Sequence, residues 1–267
     1  MHITITGNLG SGKSTICKIL NEKYKFEIYS TGKVQRDLAE QMKMTTLELN
    51  QLMRSDRKYD TMIDDATTRI SREKRDENII FDSRLAWHFV EHSFKVFVSV
   101  SLEVAACRVM NDTRGAVETY HSQEEAKQLL TARAATEMDR YKDIYKLNYM
   151  DFSNYNLIID STYCTPEQIA EIIMAEAGEY EKNQDISMSK MLVSPKRLLK
   201  ECDLSVEEQE RLSYLIDAYQ VVPYSIDKII RVKKEEDNYT ILEGMEEVKA
   251  ALLAKVPYCP IEVIKMK

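Results

Sequence analysis

The feature that most constrains this chain is a glycine-rich run close to its beginning, Gly7-Asn8-Leu9-Gly10-Ser11-Gly12-Lys13-Ser14, which has the spacing G-x-x-x-x-G-K-S. The apolar residues 2–6 before it predict a short buried strand, and residues 13–24 after it predict a helix. A strand, a glycine loop and a helix in this order are the context in which such a run binds phosphate groups. A chance glycine turn is the alternative, and the surrounding pattern argues against it.

The chemistry of this loop follows from its residue types. Glycine lets the backbone curve closely around an anion, so that successive N–H groups point inward. Lys13 is expected to reach the β- and γ-phosphates of ATP, and the Ser14 hydroxyl to ligate Mg²⁺. The predicted nucleotide-binding set is Gly7, Asn8, Leu9, Gly10, Ser11, Gly12, Lys13, Ser14 and Thr15.

Composition limits the remaining function classes. The 267 residues carry a net charge of −7, and neither the first part of the chain nor residues 187–267 is basic, so we expect no nucleic-acid surface. No apolar run approaches the ~18 residues that a membrane span needs, and we expect a cytoplasmic protein. The five cysteines and four histidines are scattered, without zinc-ligand spacing, which predicts reduced thiols and no metal cluster or histidine-based triad.

The order of apolar and amphipathic segments predicts an α/β fold over residues 1–180. Short apolar runs alternate with long amphipathic stretches, as in a parallel sheet covered by helices. A polar stretch at 181–189 is predicted to be a linker. Residues 190–267 then predict a small C-terminal α+β domain with strands at 190–193, 226–232, 239–242 and 261–266 and helices at 206–220 and 245–255.

A second candidate site follows the predicted strand at 78–82, which ends in Asp82-Ser83-Arg84. The carboxyl ends of parallel strands face the ligand. Asp82 is therefore a candidate to hold Mg²⁺ and to contact substrate, and Arg84 to clamp a phosphate. A strand-end turn with a solvated ion pair is the alternative.

Further arginines are candidate phosphate ligands. Arg36 stands one turn into the helix predicted after Ser30-Thr31 and can point at an acceptor phosphate. Arg133 and Arg140 are seven residues apart, hence on one helix face, beside a predicted short lid at 111–122. For each of the three, an ordinary solvated arginine is the alternative.

Taken in order, these motifs resemble the nucleoside monophosphate kinases, most closely the cytidylate-kinase-like branch. The resemblance includes the glycine loop, Ser30-Thr31-Gly32 with Arg36, Asp82 to Trp87, Arg133 to Tyr145 and Tyr155 to Thr162. It implies a P-loop kinase fold, a three-layer α/β/α arrangement with a five-stranded parallel sheet. It also implies that Arg36 and Arg84 hold the acceptor monophosphate, that Arg133 and Arg140 meet the transferring phosphate, and that Asp160 lies near the donor nucleotide.

The chain departs from that family at the lid and beyond residue 180. Ala105 stands where the family carries an arginine, and Asn111-Asp112-Thr113 replaces a basic stretch. Residues 226–264 resemble a degenerate ParB/sulfiredoxin-like domain, in which Gly244-Met245-Glu246-Glu247 lacks the arginine of a phosphate site. An unrelated small α/β domain is the alternative.

The sequence thus predicts phosphoryl transfer from ATP·Mg²⁺ to a nucleoside monophosphate, with CMP or dCMP as the acceptor. Lys13, Arg84, Arg133 and Arg140 are the predicted catalytic residues. Two alternatives stay open. One is a nucleotide-binding regulator whose weak or inactive kinase domain signals through the C-terminal domain, by a protein partner or self-association. The other is a P-loop kinase for another small metabolite.

Overall fold

One mixed sheet of nine strands organises the chain. A computed structural model describes residues 1–44, 49, 52, 53, 58–111, 120–182, 189–202, 204–221 and 229–264, apart from the side chains of Arg36 and Asp37. In chain order the strands are β1 (His2–Gly7), β2 (Glu27–Ser30), β3 (Ile79–Asp82), β4 (Phe94–Ser99), β5 (Leu157–Asp160), β6 (Lys190–Val193), β7 (Ile230–Glu235), β8 (Asn238–Glu243) and β9 (Cys259–Val263). Their order across the sheet is β2-β3-β1-β4-β5-β6-β9-β7-β8.

Helices occupy most of the connections. They are α1 (Lys13–Tyr24), α2 (Thr31–Gln41), α3 (Lys58–Glu73), α4 (Ala86–Phe89), α5 (Leu102–Met110), α6 (Gln123–Tyr145), α7 (Pro166–Lys182), α8 (Pro195–Leu198), α9 (Val206–Val221) and α10 (Met245–Leu253). Within the described ranges, no helix combines the length and the apolar character that crossing a bilayer requires.

The layers follow from the alternation of side chains along buried strands. In β4, Val96 and Val98 pack on one face together with Ile16 of α1 and Ile169 of α7. Phe97, between them in sequence, packs on the other face. Because successive residues of a strand point to opposite faces, a continuous apolar strand is buried on both sides. The fold is therefore the α/β arrangement that the sequence predicts, but it is built on one mixed sheet of nine strands, whereas the resemblance implies a parallel sheet of five.

The first five strands are all parallel, which brings their carboxyl ends to one edge. Register pairs Gly7 of β1 with Val98 of β4, Ile5 of β1 with Asp82 of β3, and Ser99 of β4 with Asp160 of β5. The glycine loop begins at this edge, where ligands bind in open α/β sheets.

The C-terminal strands continue the same sheet. β6 pairs in parallel with β5, and β9 pairs antiparallel with β6 and parallel with β7, which forms an antiparallel hairpin with β8. Apolar side chains of both parts share one cluster, for example Ile158, Leu215 and Val248. The division into domains at 181–189 stays a prediction, and residues 183–188 of that stretch lie outside the described residues.

Most predicted element bounds agree with the structure to within a few residues, and one strand ends later than predicted. Strand β7 covers Ile230–Glu235 and extends beyond the predicted end at 232, because Lys233, Lys234 and Glu235 pair with β8 in spite of their charge; positions 226–228 of the prediction lie outside the described residues. Charge alone does not exclude a strand when the neighbouring strand satisfies its backbone. The sequence also predicts a helix at 45–54, and most of these positions lie outside the described residues.

Two glycine substitutions test the close packing of β1 against β4. A Cβ at Gly7 would lie 2.1 Å from the backbone oxygen of Val98, whereas a Cβ at Gly178 in α7 would meet nothing within 4 Å. We expect Gly7→Ala to lower the free energy of unfolding by about 2 kcal/mol or more, because the paired strand cannot give way. Gly178→Ala should raise it by roughly 1 kcal/mol, since alanine favours a helix interior. Urea unfolding followed by circular dichroism measures both, and equal effects of the two changes would contradict the prediction.

Candidate functional site

A cavity of about 660 Å³ lies at the carboxyl edge of the sheet. This volume falls within the range of ordinary small-molecule sites. It is lined by the residues Leu9, Gly10, Ser11, Gly12, Lys13, Ser14, Thr15, Ile16, Ser30, Thr31, Gly32, Gln35, Asp82, Ser83, Arg84, Arg108, Val109, Asn111, Arg133, Glu137, Tyr141, Ser161, Cys164, Pro166 and Ile169. The structure thus brings the glycine loop, Asp82, Arg84 and Arg133 into one site.

The loop has the backbone conformation that its glycines permit. Gly10 has φ 72° and Gly12 has φ 83°, both in the left-handed region that side chains rarely adopt. A Cβ at Gly10 would come within 2.9 Å of the backbone of Ala105 in α5. Helix α1 begins directly after Gly12, so its N-terminus faces the cavity side of the loop. This arrangement fits a bound polyphosphate.

Lys13 is held inside the loop by its own backbone. The Lys13 ammonium donates to the carbonyl oxygens of Gly7 at 3.2 Å and Asn8 at 3.0 Å. Burial, together with the nearby Arg84 guanidinium, lowers the pKa of Lys13 from its ordinary value to about 7. The carboxylates near Lys13 offset its positive charge only in part. An anionic ligand beside Lys13 would stabilise the protonated form.

Glu137 of α6 orients two of the arginines. It accepts from Arg84 Nε at 2.9 Å and from Arg133 Nε at 3.3 Å. Burial alone would raise the pKa of Glu137, but the attraction of Arg84 and Arg133 outweighs burial, and the pKa is lowered. Arg84 also donates from Nη1 to the carbonyl oxygen of Gly7 at 2.6 Å, which ties the end of β3 to the glycine loop.

Asp82 and Ser14 supply oxygen atoms suited to Mg²⁺. Both line the cavity, and hydroxyl and carboxylate oxygens are the protein ligands that this ion takes in phosphate sites. Ser30 occupies the N-cap position of α2, but its hydroxyl donates to Asp82 Oδ2 at 3.3 Å rather than capping the helix. These residues fit the ion, with Ser30 orienting the carboxylate.

Arg108 of α5 joins the loop to the turn after β5, a role that sequence reasoning missed. Its Nη1 donates to the carbonyl oxygen of Gly10 at 3.4 Å and to Ser161 Oγ at 3.1 Å, and its Nη2 to the carbonyl oxygen of Ser161 at 2.6 Å. Both Arg108 and Ser161 line the cavity. In the sequence, the signal for this residue was its place three positions before the predicted lid at 111–122.

Five predicted site residues are not among the described residues that line the cavity. Gly7 and Asn8, at the start of the loop, accept from Lys13 through their carbonyl oxygens instead. Arg140 forms an ion pair with Asp60 of α3 and is not among the described residues that line the cavity. Asp160 is buried, accepts from the backbone N–H of Thr162 and from the Ser99 hydroxyl, and is not among the described residues that line the cavity. The side chain of Arg36 lies outside the described residues, although its backbone belongs to α2.

The lowered pKa of Lys13 predicts a pH-dependent stability. Between about pH 7 and about 10.4 the unfolded chain keeps a proton that the folded protein releases, so the free energy of unfolding contributed by Lys13 rises with pH across this window. Lys13→Met should therefore stabilise the protein at about pH 6 and lose this advantage by about pH 10. Urea unfolding at several pH values measures it. Lys18→Met, on the exposed side of the same helix, is the control, and the same pH profile in both variants would refute the assignment.

Comparison with known proteins is consistent with this geometry. Residues 2–163 match the model of the cytidylate kinase-like family. The cytidylate kinase of Methanocella arvoryzae is 31% identical over 182 residues, which span 68% of this chain and 99% of that protein. The cytidylate kinase of Methanococcoides burtonii is 35% identical over 162 residues, 61% of this chain and 88% of that protein.

A third relative carries the similar segment within a longer chain. The S-adenosylmethionine-dependent nucleotide dehydratase of Lacinutrix mariniflava is 30% identical over 186 residues, 69% of this chain but 37% of that protein. In all three cases the similarity leaves roughly a third or more of this chain unmatched. From the family match and the length of these alignments, the chain belongs to the cytidylate kinase-like family.

Proposed function

We propose that this protein transfers the γ-phosphoryl group of ATP·Mg²⁺ to a nucleoside monophosphate, and that CMP or dCMP is the preferred acceptor. Membership of a kinase family supports phosphoryl transfer in general. The choice of acceptor rests on the cytidylate kinases to which the chain is similar.

The observation that carries the proposal is the charge of the cavity wall. Its described lining includes four basic side chains, Lys13, Arg84, Arg108 and Arg133, against two carboxylates, Asp82 and Glu137, although the chain as a whole carries −7. An excess of positive charge inside an acidic protein focuses attraction on one place. A nucleoside triphosphate and a nucleoside monophosphate are both anions and repel each other. They can lie side by side only where positively charged side chains surround them.

Each residue has a role that its position allows. Lys13 and the backbone of the glycine loop hold the β- and γ-phosphates of the donor. Ser14 and Asp82 hold Mg²⁺, which when bound offsets the negative charge of the phosphates. Arg84, fixed by Glu137, orients the acceptor phosphate, and Arg133 stabilises the charge that develops during transfer. The acceptor phosphate is already ionised at pH 7, so the residues need not remove a proton from it.

The proposal also includes three residues that are not among the described lining of the cavity, Arg36, Arg140 and Asp160. Arg140 must leave Asp60 before it can reach the transferring phosphate, which is the kind of movement that closing helices make around a substrate. Asp160 would contribute to donor binding through its backbone neighbour Ser161, which lines the cavity. Arg36 would contact the acceptor from α2.

The proposal is tested by measuring ADP release from Mg²⁺·ATP in a coupled assay with CMP, dCMP, UMP, AMP and GMP, and without acceptor. We expect turnover that depends on CMP or dCMP. Lys13→Ala should abolish it, because Lys13 holds the transferring phosphate, while Lys18→Ala, an exposed residue of the same helix, should leave it unchanged. ATP binding without turnover for any acceptor would favour a nucleotide-binding regulator instead.

Arg84 provides a second test. Arg84→Gln removes the charge facing the acceptor and the bonds to Glu137 and Gly7. We expect kcat/KM for the acceptor to fall by roughly 100-fold or more, as for other donors that stabilise charge in a transition state. Arg72→Gln, which breaks only the exposed ion pair with Glu91, is the matched control. If kcat/KM of Arg84→Gln equals that of the control, Arg84 does not act on the acceptor.

A further inference from the structure

Arg197, in the short helix α8 that follows β6, lies between two carboxylates from different parts of the chain. Its Nε stands 3.6 Å from Asp160 Oδ2 at the end of β5, and its Nη2 donates to Asp237 Oδ1 at 3.0 Å and to the Asp237 carbonyl oxygen at 2.8 Å. The guanidinium also lies over the ring of Tyr239, 5.4 Å from its centroid. Arg197 therefore bridges the β7–β8 turn and the edge of the sheet where nucleotide is proposed to bind.

Asp237 continues this connection to helix α5. Its Oδ2 accepts from the backbone N–H of Leu102, the first residue of α5, at 2.8 Å. The hydroxyl of Ser101, the N-cap residue, accepts from the N–H of Val104 at 3.3 Å. A carboxylate at a helix N-terminus stabilises that end of the helix and fixes its position. The end of α5 is therefore held by a residue from a distant part of the chain.

The contacts of Asp237 through α5, and those of Arg197 through Asp160, each extend to residues that line the cavity. Arg108 stands on the last turns of α5 and contacts Gly10 of the loop and Ser161. Ser161 directly follows Asp160, whose carboxylate Arg197 faces. Moving Arg197 or Asp237 would thus shift the wall of the cavity without touching a ligand.

Because Asp160 is buried, its negative charge depends on the neighbouring positive charge of Arg197 for compensation. The Asp160 side chain is 1% exposed and that of Arg197 12% exposed, so neither charge is well solvated. Burial raises the pKa of Asp160, although Arg197 and the hydrogen bonds from Thr162 and Ser99 oppose this. Removing one partner of a buried pair leaves an uncompensated charge, whereas removing both charges together is often tolerated.

We infer that Arg197 and Asp237 are positioning residues for the donor nucleotide: they attach the C-terminal segment to Asp160 and α5 and thereby set Ser161 and Arg108. The inference rests on the proposed function, because it assumes that ATP binds in this cavity. It also assigns a role to the C-terminal strands. Ser161 and Arg108, on the nucleotide side of the site, are held in position only when the β7–β8 turn is in place.

The test is the affinity of the full chain for a fluorescent ATP analogue with Mg²⁺, measured by titration well below each variant's melting temperature, together with KM for ATP and for the acceptor. Asp237→Ala removes the contact to α5 from an exposed turn and should weaken ATP binding about fivefold or more, the usual lower range for coupled sites. Asp237→Asn, which keeps an acceptor oxygen, should retain most of the affinity. KM for the acceptor should change much less than KM for ATP.

The second pair of variants isolates Arg197. Arg197→Met should weaken ATP binding at least as much as Asp237→Ala, and the double variant Arg197→Met with Asp160→Asn should recover stability because no buried charge remains unpaired. Arg231→Met removes an arginine of β7 that pairs with Glu243 and Glu262, and is the control. It should bind ATP as the unchanged protein does.

The outcomes separate the two proposals. If the unchanged protein does not bind the ATP analogue, the proposed function fails. If it binds, and Asp237→Ala lowers the melting temperature but binds ATP with unchanged affinity, the inference about Arg197 and Asp237 is overturned while the function stands. Should Arg197→Met not fold, the two Asp237 variants decide the matter alone.

Discussion

The parallel register of the first five strands is the constraint on which the site depends. It places the last residues of β1, β3, β4 and β5 at a single edge, so that the glycine loop, Asp82 and the turn after Asp160 meet although they are far apart in sequence. Gly7 makes this possible, because its missing side chain allows the backbone of β1 to touch Val98. A register shift of one residue would turn every side chain of a strand to the opposite face and disperse the site.

Electrostatics then determines what the site can hold. Arginines and a lysine are collected around a cavity in which Glu137 fixes two of them, and Lys13 loses part of its affinity for protons. Holding cations in place before a ligand arrives costs stability in the free protein but removes the need to reorganise them during reaction. The same charges give an acidic protein one place that attracts anions.

Sequence reasoning found the parts of the site that local patterns encode. The glycine loop and the apolar strand ending in Asp82 and Arg84 depend on neighbours within a few residues, and the structure places them in one cavity. The contacts of Arg108 with Ser161, and of Leu102 with Asp237, connect residues 53 and 135 positions apart. No periodicity or spacing records such contacts, because they arise only when the sheet has formed. For the same reason the pairing of Arg140 with Asp60 could not be foreseen.

The position of β9 has a consequence for the way in which the chain reaches this state. β9 is the last strand in sequence, yet it lies between β6 and β7 and is the only described strand that connects them. Domains emerge from the ribosome in order and begin to fold from the N-terminal side. The first six strands can therefore assemble during synthesis, whereas the β7–β8 hairpin must wait, already translated, until β9 has been made and inserted. Completion of the sheet is a late, long-range step, and it joins the hairpin to the rest of the molecule only after the glycine loop has long been in place.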